Sequence, residues 1–116
     1  MEFSGKRVLV TGSSRGIGQA TARLFCESGA QVAVNGRTPD STAAGMAALG
    51  DSDRLVAAPG DVSSVAGCEA VVGAAVEELG GLDILVNSAG VAFFLPLDDS
   101  DEVVWDATLD TNLKGA

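Results

Sequence analysis

The stretch Thr11-Gly12-Ser13-Ser14-Arg15-Gly16-Ile17-Gly18 is where residue type and spacing first suggest chemistry. It follows an apolar, strand-like run from Arg7 to Val10 and leads into a helix-like run from Ile17 to Glu27. A glycine-rich turn between a strand and a helix is a means of holding phosphate. The glycines let the chain turn tightly and approach a ligand, and the helix N-terminus offers free N–H groups with a partial positive charge. Here the backbone N–H groups of Ser14, Arg15, Gly16 and Ile17 would meet a pyrophosphate, with Gly12 and Gly18 flanking them. The pattern points to a dinucleotide, and plain loop packing is the competing explanation.

Further residues bear on which dinucleotide. The second strand of such a domain usually ends in an acid when the ribose 2′-hydroxyl is free, and positive charge accompanies a 2′-phosphate. The segment Val34-Asn35-Gly36-Arg37-Thr38 has no acid, and Arg37 joins Arg15 as a second guanidinium. Arginine binds phosphate through two parallel N–H bonds, so the pair favours NADP(H) over NAD(H) unless both are ordinary surface charges. Asp61 could accept a hydrogen bond from an adenine amino group beside an apolar contact from Val62, or serve as a helix-entry turn residue. Asn87 closes a strand-like run at the edge where such sheets bind ligands, and could touch ligand or tie neighbouring strands together. Ala89 and Gly90 are small enough to let a ribose lie against the backbone.

These residues act together only if the segments between them form one scaffold. Arg7–Thr11, Gln31–Asn35, Arg54–Ala58 and Asp83–Asn87 read as strands, the last apolar enough for a sheet covered on both faces. The first helix, ended by Gly29, places Ile17, Ala20, Leu24 and Phe25 along one face. An alanine-rich helix starts at Pro39 with Asp40 or Ser41 and stops near Gly50. A third helix, capped by Ser63 or Ser64, runs to about Leu79 and is expected to bury Val65, Val72 and Val76. After the loop 90–97, Ser100 can cap a helix over Asp101–Leu109. Strands alternating with helices predict a parallel sheet with right-handed crossovers, a partial doubly wound α/β fold of Rossmann type. The 116 residues form one domain at most, without linker or internal repeat.

Composition narrows the function. Seven basic against sixteen acidic residues give a net charge of -9, which argues against nucleic acid and anionic membranes as partners. Six of the acids lie between Asp98 and Asp110 and read as a solvated surface. Cys26 and Cys68 lack metal-ligand spacing and the chain has no histidine, so no metal site is expected. Two small, buried or half-buried thiols suit a reducing compartment. With no apolar core to a leader at the N-terminus and no membrane-length run, the expected location is cytoplasmic.

The wider spacing Gly12-x-x-x-Gly16-x-Gly18, preceded by threonine, resembles the short-chain dehydrogenase/reductase family. Asn87-Ser88-Ala89-Gly90 is similar to that family's Asn-Asn-Ala-Gly motif, with Ser88 in its second position. Asp61-Val62 is similar to its Asp-Val pair along the adenine, and Thr111-Asn112-Leu113-Lys114-Gly115 to the stretch with its catalytic-site asparagine, here Asn112. Gly36 stands where the family's NAD-selective acid would be. By texture the chain looks closest to members resembling 3-oxoacyl-(acyl-carrier-protein) reductases. The resemblance covers essentially the whole chain and implies carbonyl or alcohol oxidoreduction by hydride transfer, in proteins that are commonly homo-oligomers. It also implies a serine and a Tyr-x-x-x-Lys pair, of which Asn112 is the only companion present, for the chain contains no tyrosine. The expectation is therefore an N-terminal, cofactor-binding portion, inactive alone and acting on a small substrate only when completed. A freestanding nucleotide-binding module and one half of a split reductase are the alternatives. Such a portion would leave Ile84, Leu85 and Val86 as an uncovered apolar edge and expose the segment 91–95.

Overall fold

The computed structural model describes residues 2–50 and 52–116; Met1, part of the N-terminal segment read above, and Asp51 lie outside the described residues. Four strands, β1 (Arg7–Val10), β2 (Gln31–Val34), β3 (Leu55–Ala57) and β4 (Ile84–Val86), form one sheet in the order β3-β2-β1-β4. All pairs are parallel, with Val8 opposite Val32 and Ile84, and Val32 opposite Leu55. Between the strands run helices α1 (Gly16–Glu27), α2 (Pro39–Leu49) and α3 (Val65–Leu79), and α4 (Glu102–Leu109) follows β4. The strands are one or two residues shorter than expected, because the ladder stops where the chain turns toward the next helix.

Side chains alternate across a strand, so the sheet carries two cores, one on each face. Val8, Val10, Val32, Val34 and Leu55 pack with Ala22 of α1 on one face, joined by Met46 and Leu49 of α2. Leu9, Ala33, Ala58 and Val62 pack with Val71 and Ala75 of α3 on the other. The helices therefore approach the sheet through small side chains. This corrects the expected helix faces: Ile17 is 83% exposed, Leu24 65%, Val65 62%, and Val72 and Val76 each 42%. Ala20 is exposed too, leaving Phe25 as the one member of the first set that packs, edge-on to Phe3 at 5.0 Å between ring centres.

The caps explain the helix boundaries. Thr38 Oγ1 accepts from the Ser41 N–H while Ser41 Oγ accepts from the Thr38 N–H, a reciprocal box that starts α2 with Pro39 in its first turn. Ser64, not Ser63, caps α3 by accepting from the Gly67 N–H at 3.0 Å. Asp101, not Ser100, caps α4 by accepting from the Val104 N–H at 2.9 Å. After α4 the chain makes one wider π turn, Asp110–Lys114. Both cysteines are half-buried and free. No helix among the described residues is long and apolar enough to cross a membrane.

Candidate functional site

The carboxyl ends of β1, β2, β3 and β4 open onto a cleft of about 310 Å³. Its floor is the glycine turn: Gly12, Ser14, Arg15, Gly16, Ile17 and Gly18 all line it. Gly12 has φ +61°, and a Cβ there would lie 2.6 Å from the Ala89 Cα, so only glycine lets β1 and the end of β4 come this close. Gly18 packs against the Gly12 carbonyl just as tightly. Arg15 takes the N-cap position of α1 with extended backbone and makes no side-chain cap, leaving the first-turn N–H groups without a capping side chain. The helix end, with no acid in its first turn, can receive an anion.

Arg37 and Asp61 form one rim of the cleft. Their side chains lie 3.8 Å apart, Nε to Oδ2, and are 76% and 45% exposed. An exposed pair this long contributes little to stability, so Arg37 is free to turn to another anion. Asp61 also shapes the entry to α3, where its Oδ1 accepts from the Ser63 N–H at 3.0 Å. That bond, with the Ser63 side chain and Arg37 behind it, holds the Asp61 carboxyl below its ordinary range. Val62 lines the cleft beside it yet is only 5% exposed, with its body in the α3-side core.

The wall opposite comes from β4. Thr11 Oγ1 accepts from the N–H groups of Ser88 at 3.1 Å and Ala89 at 3.2 Å, fastening the end of β4 to the glycine turn. Ser88, Ala89, Gly90 and Val91 all face the cleft. Asn87 does not: it is exposed and outside the lining. Asn112 also lies outside the lining, in the π turn, where its Oδ1 accepts from the Val91 N–H at 2.7 Å and its Nδ2 donates to the Val91 carbonyl at 2.9 Å. It thereby pins the loop after β4 to the end of α4, and its neighbour Thr111 reaches the cleft.

Tying strands together, a role considered for Asn87, belongs instead to Asn35. This side chain is 2% exposed and bonds to the glycine turn and to the loop after β3. Its place, an amide directly after the buried apolar run Val32–Val34, was the available signal. Gly36 is equally constrained: a Cβ there would lie 2.6 Å from Ser41 Oγ and 2.8 Å from the Thr42 nitrogen. Thr42, fully buried, accepts from the Gly36 N–H at 2.9 Å and seals the turn from behind.

Known proteins share both this sequence pattern and this architecture. A family sequence model described as "short chain dehydrogenase" matches residues 6–116. The chain is 39% identical to glucose 1-dehydrogenase from Gluconobacter oxydans over 97% of its own length and 43% of the relative's. It is 40% identical to 3-oxoacyl-(acyl-carrier-protein) reductase from Vibrio cholerae, covering 97% of this chain and 46% of that one. Among solved structures, a short-chain dehydrogenase/reductase of glucose/ribitol dehydrogenase type from Brucella melitensis superposes with a TM-score of 0.89 at 35% identity, covering 99% of this chain and 48% of that one. The chain thus spans a little under half the length of each of these relatives.

Proposed function

The chain belongs to the short-chain dehydrogenase family, whose members bind nicotinamide dinucleotides, and from that premise we propose that its cleft holds NADP(H) for oxidoreduction of a carbonyl or alcohol. The observation that carries the cofactor choice is the pairing of two arginines on the cleft, Arg15 and Arg37, with a Gly36 whose surroundings leave no space for an acid. In this reading the N–H groups of Ser14 to Ile17 receive the pyrophosphate, with Gly12, Gly16 and Gly18 allowing the approach. Arg37, assisted by Arg15, takes the 2′-phosphate. Asp61 accepts from the adenine amino group with Val62 packed against the ring, while Ala89 and Gly90 leave room for the ribose. Asn87 stands exposed at the end of β4, outside the cleft lining, and Asn112 holds the loop that borders the nicotinamide end.

Bound NADPH would supply the hydride; the proton for a new hydroxyl needs a separate donor. The chain has neither tyrosine nor histidine, so these residues bind cofactor and leave proton transfer to groups they do not contain. Acting alone, the chain is proposed to be inactive toward carbonyls; within a completed protein it would serve a small-molecule substrate, in a homo-oligomer of cytoplasmic location.

Titrating the protein with NADPH and with NADH, followed by the cofactor's fluorescence, tests the assignment. NADPH is expected to bind more tightly, and Arg37→Ala to remove most of the difference, since one charge-assisted bond to phosphate is worth about 1.5–3 kcal/mol, or about ten- to a hundredfold. Equal affinities in the unaltered protein would overturn the choice of NADP(H).

A further inference from the structure

Building on the dinucleotide site just proposed, we propose that Asn35 is its positioning residue: one buried side-chain amide sets the spacing between the glycine turn and the loop after β3. The strand order puts β2 between β1 and β3, so a side chain just past the end of β2 can reach the loops on either side. Asn35 does so. Its Oδ1 accepts from the Gly12 N–H at 2.9 Å. Its Nδ2 donates to the carbonyls of Ala58 at 2.8 Å and Gly60 at 3.1 Å, with the Gly36 carbonyl at 3.2 Å. The partners fix the amide's orientation, since an N–H needs an acceptor and carbonyls need a donor.

The main chain reinforces the link to the turn. The Asn35 N–H donates to Ser13 Oγ at 2.8 Å, and the Ser13 N–H donates to the Asn35 carbonyl at 2.8 Å. Gly12 and Gly60 both line the cleft, so the amide joins its floor to the loop after β3. Because Asn35 takes the Gly12 N–H, that group is not available to phosphate. Its work is to hold the turn so that the N–H groups from Ser14 onward face the cleft.

No other side chain of this size has the same donor and acceptor set. A carboxylate keeps the bond from Gly12 but presents only acceptors to the carbonyls of Ala58 and Gly60. When protonated it regains one donor. Burial among carbonyls would raise the pKa of an aspartate placed here, bringing its ionisation into an accessible pH range.

The test is Asn35→Asp, with NADPH affinity and thermal stability measured from about pH 5.5 to about pH 8, each expressed relative to the unaltered protein at the same pH. The variant is expected to bind within a few-fold of the unaltered protein at the acid end. It should weaken by about tenfold or more as the new carboxyl ionises. A variant whose stability falls with pH while the affinity of its folded fraction stays level would overturn the positioning role and leave a structural one. Should the variant fold at no pH, the unaltered protein carries the test by NMR. The Asn35 Nδ2 protons are then expected to be protected from exchange and to shift on adding NADPH, and fast-exchanging, unshifted protons would overturn the inference. Failure of the unaltered protein to bind either nucleotide would instead sink the proposed function, so the two outcomes are separable.

Discussion

Any side chain on Gly36 has to displace Ser41 Oγ and, harder to move, the backbone nitrogen of Thr42. Both belong to the first turn of α2, which the reciprocal bonds of Thr38 and Ser41 hold in place. Gly36→Asp is therefore expected to cost stability, about 1–3 kcal/mol by the usual penalty for overpacking. It should not install a preference for NADH, because its carboxylate cannot settle beside a ribose without α2 moving. Urea denaturation and titration with both nucleotides check the two halves of this prediction; a stable variant that prefers NADH would refute it. The absence of an acid at position 36 was readable in the sequence, as were the glycines of the turn. That the acid has no room was not, because the obstruction comes from residues five and six positions later, brought back by a capping turn. Asn35 escaped for a related reason. An asparagine after a strand looks like any turn residue until its partners, twenty-three positions before and after it, are seen around it.

At the scale of elements, hydrophobic periodicity identified each strand and α-helix among the described residues, yet it chose the wrong faces of α1 and α3. Burial in a parallel sheet is set by how closely a helix can approach, and here alanine, glycine and one valine make the contact. Ala22 of α1 and Ala75 of α3 are fully buried, whereas the larger Leu24 and Val72 stand outside. A rule that assigns the largest apolar residues to the core fails wherever close packing selects small ones. Ala75→Leu is expected to destabilise by about 1–3 kcal/mol, since it must push α3 from Leu9 and Ala33. Val72→Ser, one turn away and 42% exposed, should cost well under half as much. Chemical denaturation of both variants decides the matter, and equal costs would show that Val72 is buried in solution. For α3 the caps were readable only as the pair Ser63 or Ser64, and for α4 Ser100 was expected where Asp101 caps, because the choice rests on backbone geometry that a sequence does not display.

For the whole molecule, a net charge of -9 opposes a polyanionic cofactor at long range. At physiological ionic strength that repulsion fades over about 8 Å, so in the proposed cofactor site the local charges, Arg15 and Arg37 with Asp61 beside them, count for more than the distant acids. Another charge contact joins parts of the chain far apart in sequence. Arg7 and Asp83 meet at the opposite end of the sheet from the cleft. Asp83 Oδ2 accepts from the Arg7 N–H at 2.8 Å and from Nε at 3.0 Å, and Oδ1 accepts from Nη2 at 3.1 Å. Arg7 Nη1 also donates to the Gly80 carbonyl at 3.0 Å. This clamp holds β4 onto β1, where Leu85 is 48% exposed while Ile84 and Val86, expected to be uncovered with it, pack partly buried against the core that contains Ala22. The hydrogen bonds from the Arg7 side chain and then its backbone pull the Asp83 carboxyl down to about 2. A carboxyl depressed in the folded state stabilises the fold above its unfolded value of about 3.9, and that contribution fades as the pH falls toward 2. Melting curves of the protein and of Asp83→Asn, compared at each pH, isolate this group from the other acids. The gap between them is expected to hold steady above about pH 5 and to narrow toward about pH 2 as Asp83 takes up its proton. A gap that ignored pH would mean that the neutral bonds to Arg7, rather than the charge, hold β4 to the sheet.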